Sequence, residues 1–233
     1  MPQDPDRSIS WRIQGAIYGV GLFSNSSLHL YNVVVPIWAY ALTKDEFLLG
    51  IVFGARNFLP MLLLIHGGAL MDRFGARRIT LYFAIAAMVI PPLYPVFPFV
   101  GALIVLQMLG GLTVMTCWIG SQSLTGSIMR GKPVYSGRLT VATRLGAFVG
   151  PPLVGAIYDF AGIWPAFLFL SLWSALTLLC AVLVPKDAPK KRQIAGKSTV
   201  TPTRLKDALP KLNDYLDAFR LIAIPAIGLV VVV

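Results

Sequence analysis

Two arginines, Arg56 and Arg144, stand inside stretches that are otherwise apolar. On insertion scales a cation at mid-bilayer costs about 2.5–3.5 kcal/mol, so each marks a functional site or demands a partner. Between Glu46 and Asp159 the only carboxylate is Asp72. The two cations must therefore be met by water, by backbone, by protein beyond these stretches, or by an anionic solute. Asn25, His29 and Asn32 recur at spacings of four and three, which places them on one helical face. Such a polar stripe on a membrane helix faces a cavity. His29 titrates near neutral pH and is a candidate for proton coupling; a hydrogen bond to a neighbour is the alternative. His66 sits near a helix end, where a structural role is expected.

The elements that carry these groups follow from composition. The 233 residues are 56% hydrophobic and only 13% charged, with mean hydropathy +0.72. Soluble domains carry about 25% charged residues. Disordered, collagen-like and ordinary water-soluble chains are thereby excluded. A crossing helix needs about 20 mostly apolar residues. Six such segments are expected, at Trp11–Ala39, Phe47–Gly68, Ile79–Phe97, Phe99–Ser123, Ser136–Tyr158 and Trp164–Val184, and a seventh begins near Phe219. The first is too long for a signal peptide and is read as a retained helix.

Seventeen of the 20 Lys and Arg fall on one side of this threading, and only Lys44 falls on the other. The excess of basic residues marks the cytoplasmic side, so the N-terminus is expected in the cytoplasm of a multi-pass cell-membrane protein. The net charge of +10 is thus a topology signal, and nucleic acid is not expected as a partner. Cys117 and Cys180 lie far apart in apolar runs and suggest neither disulfide nor metal.

Three regions result: a six-helix bundle over 1–185, a basic cytoplasmic connection over 186–218, and a partial seventh helix over 219–233. Within the connection, Leu205, Leu209, Leu212, Leu216 and Phe219 recur at helical spacing among charges. That pattern predicts an amphipathic helix on the membrane or the bundle; a solvated linker is the alternative. The last apolar run is too short to cross, which implies a chain cut inside its seventh helix.

The bundle contains an internal repeat. Gly68-Ala-Leu-Met-Asp72-Arg-Phe-Gly75 ends the second segment, and Gly155-Ala-Ile-Tyr-Asp159-Phe-Ala-Gly162 ends the fifth. Arg56 lies twelve residues before Gly68, and Arg144 eleven before Gly155. The two segments run in opposite directions, so the pattern is that of an inverted-topology repeat of three plus three helices.

Gly68-x-x-x-Asp72-Arg73-x-Gly75-x-Arg77-Arg78 resembles the signature of the major facilitator superfamily between its second and third helices. The resemblance implies an all-α polytopic six-helix bundle, here the N-terminal half of a transporter whose C-terminal half is missing. It also implies that Asp72, Arg73, Arg77 and Arg78 form a cytoplasmic charge network that gates the two halves. Gly68 would allow close helix approach, and Gly75 a tight turn. Gly137, Gly146, Gly150, Pro151 and Gly155 are similar to the family's fifth-helix glycine–proline pattern, which is linked to solute exporters. Val154 and Pro152 depart from that pattern. Small residues at 146, 150 and 155 are expected to form a groove for a packed helix. In the fourth segment the family's common Arg is replaced by Gln107, four residues before Gly111; an amide carries no charge for a proton relay.

The function expected is secondary active transport, proton-coupled efflux of a small organic solute in exchange for protons by alternating access. Uptake of a small organic anion, or a non-transporting membrane scaffold, is the alternative. The chain holds no Gly-x4-Gly-Lys-[Ser/Thr] loop for ATP, no Gly-x-Ser-x-Gly and no His-Glu-x-x-His. An enzyme is not expected, and neither is a cofactor or a metal. The expected partners are the lipid bilayer, a small-molecule substrate, a proton as coupling ion, and the missing half.

Overall fold

A computed structural model describes residues 9–130 and 132–185, with the backbone alone for 64 and 65. The elements expected over 203–220 and 219–233 lie outside the described residues. Seven helices are formed among those described: α1 (Trp11–Thr43), α2 (Glu46–Phe74), α3 (Ala76–Val89), α4 (Leu93–Val96), α5 (Val100–Ile128), α6 (Pro133–Ala161) and α7 (Ile163–Leu183). Four regions are long and apolar enough to cross a membrane, within α2, α5, α6 and α7. Helix α1 has the length, but Gln14, Asn25, His29, Asn32 and its serines dilute its hydropathy. Those serines donate back to their own helix, Ser24 to the Val20 carbonyl at 2.6 Å and Ser27 to that of Phe23 at 2.7 Å. Their hydroxyls are thereby satisfied without water.

The third expected segment does not run unbroken to Phe97. Pro91 and Pro92 follow α3, and neither offers an N–H to continue the ladder. The chain turns through Leu93 N–H to the Ile90 carbonyl at 3.1 Å and then forms the single turn of α4. The turn carries Tyr94 into the interior. Helix α2 outlasts its expected end at Gly68 and continues to Phe74. Asp72 and Arg73 therefore belong to its last turn and not to a loop, and Arg56 falls in the half of α2 nearer Asp45. At that N-terminus Asp45 accepts from the Phe47 and Leu48 N–H groups at 2.8 and 3.2 Å, an N-cap that starts the helix within a residue of its charged turn.

The packing has the symmetry that the repeat requires. The most extensive contacts are α1 with α6 and α2 with α5, followed by α1 with α7 and α3 with α5. Exchanging the triplet α1, α2, α3 for the triplet α5, α6, α7 converts each member of these two couples into the other. The junctions match as well. Gly75 closes α2 and opens α3 at φ 91°, and Gly162 closes α6 and opens α7 at φ 85°. Each donates its N–H four residues back, to Met71 and Tyr158, at 2.9 Å. Each accepts from four residues ahead, from Ile79 and Ala166. A side chain is strained at such φ, so a direct helix-to-helix turn selects glycine in both copies.

Small residues let the helices approach. A Cβ on Gly111 of α5 would collide with the backbone carbonyl of Arg56 on α2. On the symmetry-related interface, a Cβ on Gly146 would stand 3.0 Å from Leu22 and Ser26 of α1, and one on Gly150 would collide with Leu30. Two apolar clusters fill the bundle. One surrounds Leu30, Val34, Leu103 and Phe167, and the other surrounds Ile17, Val20, Leu124 and Met129. The second lies at the basic end, where Arg12, Arg73, Arg77, Arg78, Arg130, Lys132 and Arg138 collect.

Candidate functional site

Helix α1 is almost enclosed by its neighbours. From residue 16 to residue 36 only Asn32 is exposed, while Asn25 and His29 on the same face are half-buried. Arg56 reaches this face from α2. Its Nη1 donates to the Leu28 carbonyl and to Asn32 Oδ1, both at 3.0 Å. The side chain is buried, 3% exposed, and its guanidinium lies 4.9 Å from the centre of the Tyr31 ring. Cation–π attraction and two charge-assisted hydrogen bonds thus replace part of the water that the cation gave up.

Beneath Tyr31 the aromatic wall continues. Tyr94 tilts against Tyr31 at 6.0 Å and stacks on Phe167 at 4.8 Å. The Tyr94 hydroxyl donates to Gln107 Oε1 at 3.2 Å. Gln107 is buried, 1% exposed, one turn from the glycine that admits the α2 backbone. Arg56, Asn32 and Gln107 are therefore brought into one neighbourhood, bridged by two tyrosines. Arg144 comes from α6 on the other side of α1 and is exposed. The Asn25–His29–Asn32 stripe meets Arg56 directly, through the bond from Nη1 to Asn32. Among the described residues every carboxylate, Asp45, Glu46, Asp72 and Asp159, lies at a helix terminus. The groups facing the stripe are cationic or neutral.

The residues of the loop signature are distributed along the basic end. Arg77 Nε donates to the Val184 carbonyl at 2.6 Å and its Nη2 to that of Val182 at 3.0 Å. These carbonyls terminate α7, where the helix dipole is negative and acceptors are left without helical partners. The start of α3 is thereby tied to the end of α7. Asp72, Arg73 and Arg78 are exposed, and the Arg73 guanidinium rests 5.4 Å from the Phe74 ring. Gly68 has open space where a Cβ would stand. Of the fifth-helix residues, Gly146 and Gly150 abut α1. Gly137 and Gly155 have no heavy atom within 4 Å of a built Cβ, so the groove expected at 155 is not filled by any described helix. Pro151 lies within α6.

Several participants are not apparent from the sequence. Tyr31 and Tyr94 read as ordinary aromatic residues in apolar runs. Gln14 reads as a stray amide near a helix start, yet it is buried and accepts from Arg138 Nη1 at 3.1 Å, while its Nε2 donates to the Ile9 carbonyl at 2.7 Å. The Arg138 guanidinium also covers the Trp11 ring at 4.9 Å.

No curated protein and no solved structure matches the chain. The sequence model of the Major Facilitator Superfamily matches residues 17–232. That match begins within α1 and takes in the other long helices, which pack with it as two exchangeable triplets, and the chain belongs to the Major Facilitator Superfamily of membrane transporters.

Proposed function

We propose that the protein is a secondary active transporter working by alternating access, with the polar face of α1 as its solute route. The observation that carries this reading is the Asn25–His29–Asn32 stripe, bonded at Asn32 to the buried Arg56, with no interior carboxylate among the described residues. A polar face in a membrane bundle stays stable only if it meets water, protein or a polar solute. Rocking of two bundles around such a face exposes it to one side at a time. His29 is the proton-coupling group, since imidazole is the side chain that changes charge near neutral pH. The basic end faces the cytoplasm, consistent with the distribution of Lys and Arg.

The glycine–proline pattern of α6 supports export in exchange for protons. The buried cation of Arg56, bonded to Asn32 on the face that carries His29, supports a second reading, proton-coupled uptake of an organic anion. Both are tested with the full-length protein in proteoliposomes carrying a pH-sensitive dye. Solute-dependent proton movement, abolished by a protonophore, is expected. Antiport acidifies the side from which solute leaves, whereas symport acidifies the side it enters. Solute movement unaffected by the protonophore would remove proton coupling. In His29→Asn the pH dependence of transport is expected to flatten, and an unchanged profile would clear His29 of that role.

A further inference from the structure

One edge of the Arg56 guanidinium is unused. Nη1 is taken by Leu28 and Asn32. Nε and Nη2 are buried and meet no acceptor among the described residues. In arginine these two nitrogens lie side by side with near-parallel N–H bonds, the fork that holds a two-oxygen anion. Buried donors are rarely left without acceptors, and two missing together on one edge indicate a missing ligand of matching shape. Tyr31, whose ring the guanidinium covers, carries a third buried group without a partner, its hydroxyl.

We propose that a carboxylate seats side-on against Nε and Nη2 of Arg56, with the Tyr31 hydroxyl as third donor. One cation balances one negative charge, whereas a phosphate dianion would leave charge uncompensated in a buried site. A halide offers a single acceptor point to a two-pronged donor. The Tyr31, Tyr94 and Phe167 wall suits a carboxylate with an apolar body. Gln107, by holding the Tyr94 hydroxyl, is a positioning residue for that wall. The fork is closed in this conformation. Asn32, exposed and bonded to Nη1, is the point at which the site opens.

The carboxylate has two conceivable sources: a transported acid, or an Asp or Glu of the protein outside the described residues. The first source rests on the transport reading above; the fork itself does not. Thermal unfolding of the full-length protein in detergent is followed with acetate, benzoate and the matching amides. A bound solute predicts that the acids raise Tm, benzoate more than acetate, and that the amides do not. Arg56→Lys keeps the charge and loses the fork, so apparent affinity for benzoate is expected to fall about tenfold or more. Tyr31→Phe keeps the ring and is expected to weaken binding several-fold; it carries the test if Arg56→Lys does not fold.

An internal carboxylate predicts instead that neither acid shifts the wild type. One Asp→Asn or Glu→Gln variant of the full-length protein then lowers Tm as much as Arg56→Lys, without adding to it in the double variant. The proposal is overturned if acids and amides act alike, if Arg56→Lys retains full acid affinity, or if neither arm responds. Proteoliposome transport separates the two claims. Transport with both arms silent removes the carboxylate site and leaves the transporter. Acid binding lost in Arg56→Lys, with no solute moved, does the reverse.

Discussion

Arg56 and Arg144 occupy related helices of the repeat at almost the same distance from the closing glycine motif, yet their surroundings are opposite. Arg56 is buried, bonded to α1 and packed on Tyr31. Arg144 is exposed. The difference is one residue of register. Arg56 precedes Gly68 by twelve positions and Arg144 precedes Gly155 by eleven, and one residue turns a helix by about 100°. The true counterpart of Arg56 is Thr143, which is buried, 4% exposed, and donates to the Thr140 carbonyl at 2.8 Å. The partner helices keep the correspondence: Gly111 of α5 admits the Arg56 backbone, and Gly21 of α1 faces Leu139 and Thr143. A repeat therefore conserves which positions are buried, while the side chain placed there differs between copies. Only one copy buries a cation.

Substitutions that move or remove the two registers test this account. The largest effect is expected from Thr143→Arg, which places an uncompensated cation in the buried register of the second copy. A loss of about 3–5 kcal/mol, or failure to recover folded protein, is expected, read by thermal unfolding and size exclusion in detergent. Wild-type stability in that variant would break the comparison. Gly111→Val follows, since its Cβ meets backbone and cannot be relieved by a side-chain rotation. Loss toward the upper end of about 1–3 kcal/mol is expected, against about 0.5 kcal/mol or less for Gly155→Val, which has open space.

Arg56→Gln strips the Leu28 carbonyl and Asn32 of their donor. A cost of about 1–3 kcal/mol is expected, with Arg144→Gln within about 0.5 kcal/mol of wild type; equal values would dissolve the distinction between the two arginines. Gly75→Ala and Gly162→Ala sharpen the symmetry instead. Each forces a Cβ into sparsely allowed backbone space at about 1–3 kcal/mol. The two are expected to agree closely, since the junctions share φ and hydrogen bonding.

The bundle and the repeat were legible to a considerable depth. Lipid forces each crossing segment to satisfy its own backbone, so apolar length alone is informative for helices such as α5 and α7. The paired glycine motifs were visible because a direct helix-to-helix turn has a strict conformational demand. Arg56 was visible because a charge in an apolar run is expensive. Its setting was less legible. Within the shorter expected segment Arg56 is central; α2 continues through Asp72 and Arg73, and the arginine stands nearer the N-terminus of the helix. Nor does spacing within one helix reveal that Arg77 caps α7, or that Gln14 holds Arg138, because both contacts join residues far apart in the chain.

Hydropathy, glycine placement and the positions of charges were sufficient for the all-α polytopic fold and the exchange of triplets, because bilayer and backbone act on each segment locally. Which face each arginine presents, which of its nitrogens find acceptors, and that Tyr31, Tyr94 and Gln107 meet behind Arg56 arose only when α1, α2, α4 and α5 packed together. Interhelical contact depends on rotation about several axes at once, and a shift of one residue in any of them sends a side chain to a different neighbour.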